Sequence, residues 1–146
     1  MRFLYLASVW LHILAAMTWV GGMVVFVLAL MPFLRRQSGA VRAALLEDFG
    51  RRFRNVEWLC FVVLAATGTF NLWMRGVRLG DFARPEWRAS AFGELVLLKV
   101  SLVFVAMVIT WLHERAVSSR HARWLGRLTL VVALAIVAVA VGLVRT

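Results

Sequence analysis

The residues with the most chemistry to offer are few and widely spaced. His12, Trp19 and Met23 fall at i, i+7 and i+11, which at about 100° per residue puts an imidazole, an indole and a thioether on one helix face with Ala16 between them. Cys60 adds a thiol, and it sits in a second stripe, Glu57, Cys60, Leu64, Thr67 and Asn71, at helical spacing. A third stripe holds Lys99, Ala106, Thr110 and His113, the last three each within roughly 40° of Lys99. An ionisable residue within an apolar run of membrane length is by default a functional-site candidate.

The elements that must position these residues are long. Of 146 residues 63% are hydrophobic and 16% charged, and mean hydropathy is +0.86, well beyond a soluble domain. Apolar segments run over 3–34, 56–74, 92–112 and 128–144. Each is near or above the roughly 17–25 residues that cross about 30 Å of hydrocarbon as a helix. The roughly ten-residue alternating strands of a membrane barrel are absent from the sequence, so helices are the spanning elements. The expected fold is all-α: an antiparallel bundle of four transmembrane helices over about 3–34, 56–74, 92–114 and 126–145, forming one domain across 1–146. The first segment is much longer than a signal-peptide core and no small-residue cleavage site follows it, so it is expected to stay as a helix. Residues 39–55 carry Val41, Ala44, Leu45 and Phe49 among arginines. They are expected either to form a short amphipathic helix on the cytoplasmic surface between helices 1 and 2 or simply to set topology. Ser90 is placed to cap the third helix, and Trp87 in the loop before it is an interface anchor or a contact for a substrate or partner.

The net charge of +10 comes almost wholly from arginine. In a membrane chain it reports loops beside anionic headgroups and gives no reason to expect nucleic acid. Ten arginines (35, 36, 42, 51, 52, 54, 115, 120, 123 and 127) flank one side, against six (2, 75, 78, 84, 88 and 145) on the other. This bias predicts that both termini lie outside the cytoplasm. A single cysteine excludes an intramolecular disulfide. Ser-His-Asp arrangements, P-loops, HExxH and CxxC pairs are all missing from the sequence, which leaves hydrolase, nucleotide-driven pump and structural zinc functions without support.

Depth sorts the candidates into layers. His12 and Lys99 lie a few residues inside the membrane from one side, and Asn71 ends its helix on that same side, so the three are expected to share an outer layer. Glu57, Cys60 and His113 are expected to share an inner one. Lys99 and His113 are separated by about 21 Å of helix rise and cannot ligate one small ion. Gly21-Gly22 is better assigned to close helix packing than to a site.

The pattern Leu11-His12 with Trp19-Val20-Gly21-Gly22, then Arg52-Phe53 ahead of a run ending Thr67-Gly68-Thr69-Phe70-Asn71-Leu72, and Leu98-Lys99-Val100 opening the third helix, resembles the copper-resistance D (CopD) family of bacterial inner-membrane proteins. The frame of His12, Lys99 and His113 is more distantly similar to the HemJ-type protoporphyrinogen oxidases, small four-helix proteins that bind haem b. These resemblances imply His12 and Lys99 as first candidates and a location in the bacterial inner membrane. They frame three readings. In the first, copper is bound or passed by His12 and Met23, with Cys60 and His113 as an inner station, in copper uptake or homeostasis. In the second, haem b is held by His12 and Lys99 with Trp19 and Asn71 nearby, which would make the chain, if an enzyme, a haem-dependent oxidoreductase. In the third, the chain is an assembly subunit whose polar stripes only fix helix register. A periplasmic metal donor or redox partner, the lipid bilayer and further copies of the chain are the partners these readings admit.

Overall fold

A computed structural model describes residues 1–115 and 119–145. Among these residues the chain is helical, with short turns and no strand. Four helices are long and apolar enough to cross a membrane: Arg2–Arg35, Gly39–Met74, Ala91–Glu114 and Trp124–Leu143. The chain divides after Gly76 into two compact units, Met1–Gly76 and Val77–Thr146. Each contains one pair of packed helices.

In the first unit α1 (Arg2–Val25) continues through a π turn (Phe26–Leu30) into α2 (Met31–Arg35). The π turn has a local cause. Pro32 has no N–H to give the carbonyl four residues back, and the helix adjusts just before it, with the Met31 N–H bonding to the Phe26 carbonyl. A tight connection at residues 36–38 leads into α3 (Gly39–Met74), 36 residues without a break. The separate interfacial helix expected at 39–55 is therefore not separate: it is the first half of α3. Nothing in the sequence from 39 to 56 stops a helix, since proline is absent and Gly50 costs only about 1 kcal/mol relative to alanine. At about 1.5 Å per residue α3 is roughly 54 Å long, far beyond the hydrocarbon thickness, so its arginine-rich first half reaches past the apolar slab. There Asp48 bridges Arg51 and Arg52 at 3.6 and 3.0 Å on an exposed face. The helix ends at Gly76, whose φ of +86° is the left-handed turn that favours glycine after a helix C-terminus.

Helices α1 and α3 run antiparallel in one register. Phe26 stacks on Phe49 with centroids 5.2 Å apart, and Phe49 on Phe53 at 5.6 Å. The Phe53 ring then lies directly on Gly22, where any Cβ would overlap it. Trp19 packs against Phe61 at 4.9 Å. The facing positions 12, 15, 19 and 22 alternate steps of three and four, the spacing of a 3-4 packed seam. Gly22 thus permits the close approach expected of the glycine pair, while nothing lies within 4 Å of a Cβ at Gly21.

The second unit opens with a 3₁₀ turn (Leu79–Ala83) and the single helical turn α4 (Pro85–Arg88). Asp81 accepts the Arg78 backbone N–H at 2.7 Å and pairs with Arg84 at 3.0 Å. Trp87 sits between Phe82 and Phe92, and its carbonyl accepts the Ser90 hydroxyl at 2.6 Å. Ser90 caps α5 (Ala91–Glu114) as expected, its oxygen accepting the Gly93 N–H at 3.0 Å. The long helix α6 (Ser119–Leu143) starts earlier than the expected 126, and the loop before it falls partly on residues 116–118, outside those described. Helices α5 and α6 are also antiparallel. His113 lies beside Gly126 at one end and Leu95 beside Gly142 at the other, a register that sets Ala106 opposite Ala133, both fully buried.

Most apolar side chains point away from both seams. Trp10, Leu28, Val62, Phe104 and Val131 are each more than 60% exposed. In water such surfaces would drive aggregation, whereas hydrocarbon is their natural solvent. The chain is a membrane protein of four apolar helices, and the bilayer is its first partner.

Candidate functional site

The polar residues of the first unit line the α1/α3 seam at two levels. At the first, His12 Nδ1 lies 2.8 Å from Thr67 Oγ1. Thr67 is 8% exposed and its hydroxyl bonds back to the Val63 carbonyl at 2.6 Å. The next residue, Gly68, lies against the imidazole, its Cβ position 3.4 Å from His12 Cε1, at ordinary contact distance. Thr67-Gly68, noticed in the sequence as a motif, is the seat of His12. One turn away on each helix, Ser8 Oγ and Asn71 Oδ1 are buried with no hydrogen-bond partner among the described residues. They stand in the same antiparallel register as His12 and Thr67. Polar atoms left in that condition cost a few kcal/mol in an apolar medium.

The second level is about 10 Å further along α1 by helix rise. Trp19, only 2% exposed, donates its indole N–H to Glu57 Oε1 at 2.9 Å. Met23 and Cys60 are buried at 9% and 5% exposure. Position along the seam brings them towards the Trp19–Glu57 pair, whereas Met23 is about 16 Å of rise from His12. His12 and Met23 therefore share a face but not a depth. Glu57 was legible in the helix 2 stripe, but its indole partner was not.

Lys99 and His113 belong to the second unit. Lys99 is half-buried on α5. His113 is exposed in the last turn of α5, with its Cε1 beside Gly126 of α6, and Arg115 caps that end by lying 3.7 Å over the Trp111 ring. Among the described residues no group of three His, Cys, Asp or Glu side chains is gathered closely enough to hold a metal ion. An apolar groove of about 380 Å³, lined by Val25, Phe26, Ala29, Leu30, Phe33 and Phe49, lies towards the other end of the first hairpin and does not include His12.

Comparison with known proteins places this arrangement. The family model for copper resistance protein D matches residues 47–144, well over half of the chain, from within α3 to the end of α6. The chain belongs to the CopD family. It is a membrane protein of a family linked to copper resistance. An uncharacterized protein of Aquifex aeolicus (strain VF5) is 29% identical over 137 residues, covering 87% of this chain and 86% of its own length. No solved structure matches the chain. Within the CopD match lie Glu57, Cys60, Thr67, Asn71, Lys99 and His113, while α1 with His12, Trp19 and Met23 precedes it.

The donor chemistry fits a soft, monovalent metal better than a hard one. The seam offers an imidazole, a buried thioether and a buried thiol, with one carboxylate already holding an indole N–H. It offers these singly and at different depths.

Proposed function

We propose that this CopD-family protein binds copper as cargo along the α1/α3 seam in the bacterial inner membrane, serving copper uptake or homeostasis, with both termini periplasmic. The observation that carries this reading is His12, an imidazole inside a membrane helix and seated on Thr67-Gly68 of the facing helix. Ionisable residues within a membrane span are rare, costly and by default mark functional sites. His12 is the outer contact for Cu(I), and Met23 with Cys60 offers sulfur a few turns deeper. Soft monovalent copper tolerates the low coordination numbers that such singly placed donors provide. Ser8 and Asn71 supply oxygen atoms beside His12 that can hold a hydrated ion or solvent as copper arrives.

The test is direct. Full-length protein purified in a membrane mimic under reducing conditions is titrated with Cu(I) against a chromophoric chelator. Stoichiometric binding is expected, weakened about a hundredfold or more in His12→Ala. Absence of stoichiometric copper, together with unchanged cellular copper in cells carrying His12→Ala, would sink the proposal. A Soret band in protein from a haem-replete host would transfer His12 and Lys99 to the haem b reading.

A further inference from the structure

We infer that Thr67 fixes the tautomer of His12, holding the proton on Nδ1 and leaving the lone pair of the neutral ring on Nε2. The inference follows from counting protons. The Thr67 hydroxyl has one, and the Val63 carbonyl at 2.6 Å can only accept it. Two oxygens that close with no proton between them would repel, so the proton lies on that line, the usual back-bond of a helical threonine. What Thr67 Oγ1 then presents to His12, 2.8 Å away, is a lone pair. A lone pair on Nδ1 would face it unfavourably, whereas an Nδ1–H completes a good hydrogen bond. In the neutral ring the remaining lone pair is on Nε2. The same logic operates in metal sites generally, where the hydrogen bond at one ring nitrogen selects the other as ligand and fixes the ring plane.

Gly68 lies beside the same ring, its Cβ position 3.4 Å from Cε1 and 3.9 Å from Nδ1, which is ordinary contact distance. The hydroxyl of Thr67 is therefore the group that orients the imidazole. Thr67 is a positioning residue in this scheme. That the chosen nitrogen serves copper rests on the function proposed above, while the tautomer itself does not.

The experiment reads the tautomer without any metal. The chain has three histidines, and His113 and His121 are exposed. The His113→Gln/His121→Gln protein, labelled with ¹⁵N-histidine and held in bilayers, therefore reports His12 alone. At a pH where the ring is neutral, Nδ1 is expected at the protonated, pyrrole-type position and Nε2 at the unprotonated, pyridine-type position. Thr67→Ser should keep that pattern, and Thr67→Val should move the proton wholly or partly to Nε2. Circular dichroism checks that both variants remain helical, and the parent spectrum is decisive if Thr67→Val does not fold. A parent protein with Nε2–H, or a folded Thr67→Val with an unchanged Nδ1–H pattern, overturns the inference. Adding Cu(I) under reducing conditions should then shift Nε2 and leave Nδ1–H in place. If the tautomer is as described and Cu(I) moves neither nitrogen, the copper function fails and the role of Thr67 in setting the ring stands.

Discussion

Thr67 and Thr129 are both buried membrane-helix threonines, 8% and 4% exposed, and both return their proton to the carbonyl four residues earlier, at 2.6 and 3.0 Å. They differ in what faces them. Thr67 takes a histidine from the opposite helix, while the bond of Thr129 stays inside α6. The contrast extends to the two hairpins. The α1/α3 seam is built on side chains that must match across it: His12 with Thr67, Trp19 with Glu57, Gly22 with Phe53. The α5/α6 seam gathers small residues, with Ala106 and Ala133 fully buried, Gly126 and Gly142 beside His113 and Leu95, and Thr110 and Thr129 buried as well. In lipid, where apolar burial between helices gains little, close packing of small residues suffices to hold a pair together. Polar groups matched across a seam are then not needed merely to hold a pair together.

The largest effect is expected at Trp19. Trp19→Ala leaves a cavity and strips Glu57 of its indole donor. Its cost should fall near the lower end of the about 3–5 kcal/mol known for such truncations, because lipid contributes no transfer term. Trp19→Phe keeps the ring against Phe61 and isolates the hydrogen bond, about 0.6–1.7 kcal/mol. Unfolding by steric trapping in bicelles measures both. Equal losses in the two variants would mean that the carboxylate–indole contact, and not ring packing, holds the first hairpin.

Overpacking comes next and separates the seams by mechanism. Ala133→Leu must push α6 from α5 and should cost about 1–3 kcal/mol with nothing to relieve it short of a smaller facing residue. Gly22→Ala meets the Phe53 ring, so its penalty should largely vanish in a Phe53→Ala background, whereas Gly21→Ala should be neutral. A double-mutant cycle on thermal stability reads the coupling. If Gly22→Ala and Gly21→Ala behave alike, the aromatic contact does not set the register of α1 on α3.

What the sequence made legible follows from which features are local. Four apolar lengths announce four helices, and the stripe of Glu57, Cys60, Leu64, Thr67 and Asn71 is visible because a helix repeats every 3.6 residues. Ser90 as a cap needs only its own next turn. The unbroken α3 escaped because an amphipathic stretch feeding an apolar one looks like two elements, and only the lack of a helix stop at 39–56 says otherwise. The partners of His12 and Trp19 escaped for a different reason: they depend on the axial register of two helices. A shift of one turn would set His12 opposite Asn71 or Leu64, with the same stripes on both helices. Register here is fixed by Phe53 on Gly22 and by the Phe26–Phe49 stack, contacts between residues about 20 to 30 positions apart in sequence whose importance is steric.

The smallest effect bears most closely on the comparison between the hairpins. Valine replaces threonine with almost no change in shape, so Thr67→Val and Thr129→Val remove the same hydroxyl from similarly buried sites. At Thr129 a helical back-bond is lost and nothing across the seam, so stability should change by less than about 0.5 kcal/mol and can even rise. At Thr67 the imidazole loses its acceptor, and the loss should approach the about 0.6–1.7 kcal/mol of an interhelical hydrogen bond in a membrane protein. Thr67→Ser should recover most of it, since serine keeps the oxygen. The decisive quantity is the coupling to His12. In a His12→Ala background Thr67→Val should cost no more than Thr129→Val does, because the acceptor then serves no one. Should Thr67→Val remain as costly without the histidine, the hydroxyl would be bracing α3 by itself, and the first seam would owe its polar residues to packing, as the second owes its alanines.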